Sequence, residues 1–219
     1  MKKLISLLLV LVMVAAMAAG CGQKDGNTDT TATTAATTEA TTAPTETTET
    51  TESFEDITVA TQPAAEPGTA LAVLQDVWAL FGENEKFFAY GGDGANMVDG
   101  APGAYTDMEA LTVQLLVPAS QQANVTEIAS LFHGMMVNNF TCGAFKLAEG
   151  VDAAAFADTL YNAAKNNQWM CGMPEKVMVA VVDDIVVLVF GLSDVLDTFE
   201  ANLAEAYPNA EVKYSEAIA

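Results

Sequence analysis

Arginine is absent from this 219-residue chain, histidine occurs once and cysteine three times. Each scarcity removes a class of function. Without arginine there is no planar, bidentate partner for phosphate or carboxylate. Eight lysines against 29 acidic residues give a net charge of −21, and such a chain repels nucleic acid and anionic lipid surfaces. The lone histidine, His133, has no second His or Cys at ligand spacing, which argues against zinc. No Cys-x-x-Cys is present, so no thioredoxin-type redox site is expected. No cofactor, resident metal or catalytic constellation is implied.

What is present begins with an address. Lys2 and Lys3 precede an almost wholly apolar run from Leu4 to Ala19, and Ala18-Ala19-Gly20 leads into Cys21. A basic start, an apolar stretch and small residues form a secretory signal. The placement of Cys21 resembles the lipobox of bacterial lipoproteins, in which the cysteine thiol carries the lipid. The rival readings are an ordinary cleaved signal with an incidental cysteine, and a retained anchor, for which the run is short. The expectation is a lipoprotein signal over 1–20, lipid attachment at Cys21 and a place on the outer face of the cytoplasmic membrane. Once Lys2 and Lys3 are removed, six lysines face the same 29 acids, a net charge of −23.

From 21 to 67 the composition falls to Thr, Ala, Glu and a few Pro, with Thr-Thr pairs at 30–31, 33–34, 37–38 and 41–42. Too few large apolar residues remain to offset the entropy of ordering, so this stretch reads as a disordered linker. Some forty such residues span on the order of 35 Å as a flexible coil. Residues 68–219 then form one domain, long enough for a real core.

Thr69 is placed to cap a helix carrying Leu71, Leu74, Trp78 and Phe81 on one face. Thr106 to Glu109 reads as a capping box for a second helix, and Asn124 with Glu127 for a third bearing Ile128, Leu131 and Phe132. Phe140 to Leu147 alternates as a strand, and Asp152 caps a helix with Phe156, Leu160 and Ala164 inward. Lys176 to Val182 and Ile185 to Phe190 are β-branched runs joined at Asp183-Asp184, a hairpin. Ser193 caps a helix with Leu196, Phe199 and Leu203 inward. Ala210 to Tyr214 is an edge strand. The order β-α-β-β-α-β predicts an α+β fold with a ferredoxin-like antiparallel sheet and additional N-terminal helices. In that arrangement the two long helices cover one face and the N-terminal helices the other.

In this topology the loop holding Cys171 returns near the start of the strand that carries Cys142. The two form either a disulfide, which an extracellular compartment permits, or a pair of buried free thiols. His133 lies among apolar residues and reads as structural, and Asp183-Asp184 as a turn. Gly91-Gly92-Asp93-Gly94 lacks the spacing of a phosphate loop, a dinucleotide fingerprint or an EF-hand and reads as a mobile loop. Ser120 and Ser193 have no triad partners. Met135-Met136 and Met170-x-x-Met173 suit packing or an adaptable contact surface better than soft-metal binding.

Met135-Met136 ahead of the Phe140–Leu147 strand, the Val151–Asn167 helix, Gln168-Trp169, Pro174-Glu175-Lys176-Val177 and Leu192-Ser193-Asp194 together carry a resemblance. Leu131 to Tyr214 resembles an uncharacterised domain family of lipoproteins from anaerobic Gram-positive bacteria. That family usually keeps a glycine in the hairpin turn, where this chain has Asp183-Asp184. The resemblance implies the address and the fold. It implies no residue role, because the family has no established activity.

The expected function is a membrane-anchored binding or assembly module, without catalysis, whose partner is a protein or a cell-wall component. A small solute- or metal-binding component of an uptake system is the alternative, and a wall-modifying enzyme the third reading.

Overall fold

The computed structural model describes residues 64–66, 68–170 and 172–218, all within one compact unit. The signal, Cys21, nearly all of the linker and Cys171 lie outside the described residues. In chain order the elements are α1 (Ala70–Ala79), β1 (Ala89–Gly91), β2 (Val98–Asp99), β3 (Gly103–Ala104), α2 (Leu111–Gln114), β4 (Val125–His133), β5 (Phe140–Leu147), α3 (Ala153–Lys165), β6 (Lys176–Val182), β7 (Ile185–Gly191), α4 (Ser193–Ala206) and β8 (Glu211–Ala217).

Helix starts follow from short polar side chains that accept orphan backbone N–H groups. Thr69 Oγ1 accepts from Ala72 N at 3.1 Å, and Asp152 Oδ1 accepts from Ala154 N and Ala155 N at 2.9 and 3.2 Å. Two expected caps fall elsewhere. Ser193 is already helical, and its N–H donates to Glu175 Oε2 at 3.0 Å, so a carboxylate from the β6 approach covers the start of α4. At the expected capping box, Asp107 Oδ1 accepts from Glu109 N and Ala110 N, and only the four-residue α2 follows.

The third expected helix is a strand. Ile128 and Phe132 face one side of β4 while Ala129 and Leu131 face the other. That is a period of two with both faces apolar, which a central strand requires. The same residues also satisfy helical spacing, and sheet pairing decides between the periods.

All pairings are antiparallel, and the eight-stranded sheet runs β2-β1-β4-β5-β7-β6-β8 with β3 also on β4. The order departs from the ferredoxin-like arrangement in its last strand. That arrangement would set β8 beside β5, but β4 holds that place and β8 lies outside β6. The consequence is chirality. The β5-α3-β6 and β7-α4-β8 crossovers each skip one strand in the same direction, yet they start on antiparallel strands. Crossovers of one hand must then put their helices on opposite faces.

That is observed, and it corrects the expected layering. α4 shares a face with α1 over Ala129, Leu131, Phe140, Cys142, Met178 and Val187. α3 covers the other face with the α2 segment over Ile128, Phe132, Phe145, Val179, Leu188 and Phe190. Tyr207 after α4 donates to Asp76 Oδ2 of α1 at 2.5 Å, tying the first layer together. Phe140, Phe145 and Phe199 are fully buried, each worth about 1.5–3 kcal/mol of burial.

Cys142 belongs to the α1–α4 layer. It is a fully buried free thiol whose pKa burial pushes well up. Asn138 Nδ2 donates to Gly172 O at 2.6 Å, so the exit loop of α3 returns to the start of β5. The expected partner Cys171 lies outside the described residues.

Candidate functional site

One rung of the sheet underlies a cleft; of its four side chains only Tyr90 is partly exposed, while Phe132, Thr141 and Phe190 are buried beneath it. Tyr90, Phe132, Thr141 and Phe190 are successive cross-strand partners on β1, β4, β5 and β7, so their side chains share a face. The rung lies where β5 and β6 begin. α3 runs back along β5 and ends at Lys165, and α2 has a single turn, so the helical layer gives out over this end. A cleft of about 480 Å³ opens there, within the range of small-molecule sites.

The floor is aromatic. Tyr90 stacks on Phe132 with centroids 5.1 Å apart, and Trp169 tilts over Phe190 at 4.9 Å. Thr141 interrupts the apolar floor, its hydroxyl donating to Val137 O at 2.7 Å. The walls carry Thr112, Gln114, Asn138, Asn167 and Gln168. No charged side chain lines the cleft among the described residues. Burial raises the Tyr90 phenol above its ordinary value, so the lining offers stacking surface and neutral hydrogen-bonding groups rather than a proton-transfer pair.

Two groups in the walls are held against their preference. Leu116 follows the C-cap of α2 and takes φ +58°, the left-handed position that glycine normally fills. An L residue there costs about 1–2 kcal/mol. Its side chain is buried in the wall of the cleft, which is what glycine would not supply. The indole N–H of Trp169 is buried without a hydrogen-bond acceptor among the described residues. Such orphans in a native fold require a reason.

The mouth is apolar and exposed. Met170 is 90% exposed and Met135 79%, with Met136, Val137 and Met173 about half exposed beside them. The Asn138–Gly172 hydrogen bond joins the two segments that carry these methionines. They are therefore exposed surface and not core.

His133 lies outside this lining. Its ring stacks on Phe87 at 5.2 Å and 7°, and Nδ1 accepts from Met135 N and Met136 N at 3.2 and 3.4 Å, holding the β4–β5 turn. Asp183 and Asp184 form the hairpin turn. Asp183 takes φ +54° and accepts from Asn209, while Asp184 pairs with Lys146 at 3.4 Å. Among the described residues no group of His, Cys, Asp and Glu is arranged to hold a metal. No helix among them is long and apolar enough to cross a membrane.

The glycine-rich stretch is a knot rather than a mobile loop. Asp93 is 5% exposed. Its Oδ1 accepts from Ala95 N, Asn96 N and Asn96 Nδ2, and its Oδ2 from Thr106 N, Thr106 Oγ1 and Asp107 N. Desolvation pushes this carboxyl up, but hydrogen bonds from Thr106, Ala95 and Asn96 outweigh it and hold the pKa down at about 2. A Cβ on Gly91 would lie 2.1 Å from Gly103 N, so the two backbones meet where no side chain fits. Nearby, Ser130 Oγ donates to Gly92 O at 2.8 Å.

Two other hollows are weaker candidates. A groove of about 710 Å³ beside residues 64–66 carries Glu66 and Glu127 and a single aromatic, Tyr105. The third, of about 370 Å³, surrounds the Asp152 cap.

Sequence reasoning named Trp169, Met170 and Phe190 without grouping them, and it missed Tyr90 and Thr141. No spacing signal could have assembled them, because the rung is made by pairing across four strands. Compared with protein-family models, curated proteins and solved structures, the chain matches none.

Proposed function

We propose that this chain is a lipid-tethered extracellular binding module that uses the cleft over Tyr90, Phe132, Thr141 and Phe190. The signal-like segment ending at Cys21 and the Thr-rich stretch after it support the address and the tether. The β5–β8 half is read as a relative of the ferredoxin-like unit with its last strand moved to the opposite edge. The observation that carries the functional reading is a cleft into which the partly exposed rings of Tyr90 and Trp169 face, walled by uncharged polar side chains and rimmed by exposed methionines. Exposed apolar surface beside a formed concavity marks binding sites.

The test is photocrosslinking in cells from the full, anchored chain. A crosslinker at Met170 sits at the mouth of the cleft, and one at Asn209 sits by the hairpin turn at the opposite end of β6. The reading predicts a reproducible adduct with wall or surface material from position 170 only, lost in Trp169→Ala. Equal adducts from both positions, or none from either, would contradict it.

A further inference from the structure

We infer that the ligand of the cleft is a neutral oligosaccharide, an inference that rests on the cleft being the binding site. Charge is the first argument. In a chain of net charge −21, the 14 lining residues include no Asp, Glu, Lys or His. An anionic ligand would meet no cation there and would enter against the field of the whole molecule. A cationic ligand would find no carboxylate to pair with inside the cleft. An uncharged ligand is the one the lining does not penalise.

The kind of surface is the second argument. Sugar rings present C–H faces, which pack on aromatic rings, and a rim of hydroxyls, which exchange hydrogen bonds with amides. The cleft pairs these needs: Tyr90 and Trp169 supply partly exposed rings; Asn138 Nδ2 already donates to Gly172 O and Gln114 Oε1 already accepts from the Tyr105 hydroxyl, while Asn167 and Gln168 add amides that can donate and accept. A purely apolar ligand would leave those amides facing carbon, at a cost of about 1–3 kcal/mol for each one desolvated without a partner. The indole N–H of Trp169 adds a donor in the same wall with no acceptor among the described residues. A hydroxyl that parts this ring from its packing supplies one.

Size and access are the third. About 480 Å³, open at one side, takes a short piece of a chain and leaves the rest to run out across the methionine rim. Such a surface re-packs easily around an irregular polymer.

The experiment titrates the full chain with chitohexaose and, separately, cellohexaose, following tryptophan fluorescence. Trp78 is packed in the α1–α4 layer on the far face of the sheet, so the signal reports Trp169. At least one of the two sugars is expected to give a saturable change that is the same at about 50 mM and about 500 mM salt, as befits an uncharged ligand. An oligogalacturonate of equal length is expected to give none. Calorimetry should show affinity down about tenfold or more in Gln168→Ala, whose side chain is exposed, and in Trp169→Phe, which keeps an aromatic ring but removes the indole N–H. The inference is overturned if neither sugar saturates, if the acidic oligomer binds as well, or if both variants, with unchanged melting temperatures, bind like the parent. Sugar failure with a surviving crosslink from position 170 overturns the ligand class and leaves the binding module standing; failure of both overturns both.

Discussion

At Asp93 six hydrogen bonds converge on one buried carboxylate, whereas the indole N–H of Trp169 is buried with no acceptor among the described residues. Both regions flank β1 and β4, and both hold backbone at positive φ. In the knot, the positive φ falls on Gly92 and Gly100, which tolerate it. In the cleft it falls on Leu116, which does not. Neither region carries a recognised motif; the knot is fully hydrogen-bonded, and the cleft holds one buried orphan and one strained residue, others of each kind being Asn202 Nδ2 on α4 and Asp183 in the hairpin turn. Between these two regions it is the satisfaction of polar groups, rather than motif content, that differs.

The largest effect is expected at the knot. Gly91→Ala forces a methyl group into the backbone of residues 101–103 and should cost about 3 kcal/mol, with strands β1 and β3 driven apart. Urea unfolding checks it, and a near-neutral result would mean that the knot is slack. Asp93→Asn comes next. An amide that turns its nitrogen toward Thr106 N and Asp107 N sets donor against donor, for a loss of about 2 kcal/mol, while sugar binding by the folded protein stays unchanged.

Acid probes the same group without mutation. The folded pKa of Asp93 is depressed to about 2, so its contribution is complete above the ordinary carboxylate value and is lost as pH falls from about 4 through 2. The drop from the ordinary carboxylate value to about 2 corresponds to a contribution of about 2 kcal/mol. Melting temperatures across that window should fall less steeply in Asp93→Asn than in the parent.

The cleft gives a smaller and inverted signal. At most buried leucines, glycine is a worse replacement than alanine. At Leu116 the order should reverse, with Leu116→Gly about 1 kcal/mol more stable than Leu116→Ala, because only glycine relieves φ +58°. Both variants should weaken sugar binding, since both remove part of the wall.

The caps at Thr69 and Asp152, β5, the β6–β7 hairpin and the edge position of β8 were legible because each is a local pattern. What was not legible is non-local. Ile128, Leu131 and Phe132 satisfy helical and strand periods alike, and only pairing with β5 chooses. The edge that β8 joins is set by the competition between β4 and β8 for the open side of β5. Both faces of β7 are buried, so its sequence is silent on which helix covers which side. The site inherits this opacity: Tyr90, Phe132, Thr141 and Phe190 span a hundred residues and meet only after the sheet has formed.

The central claim is that the cleft binds and the knot holds. Hydrogen–deuterium exchange on the full chain, with and without chitohexaose and cellohexaose each at high concentration, tests it most directly. With at least one of the two, protection is expected to rise in residues 112–116, 137–141 and 167–170 and to stay unchanged in 91–107. Added protection in 91–107, or none in the cleft segments with either sugar, would contradict the account.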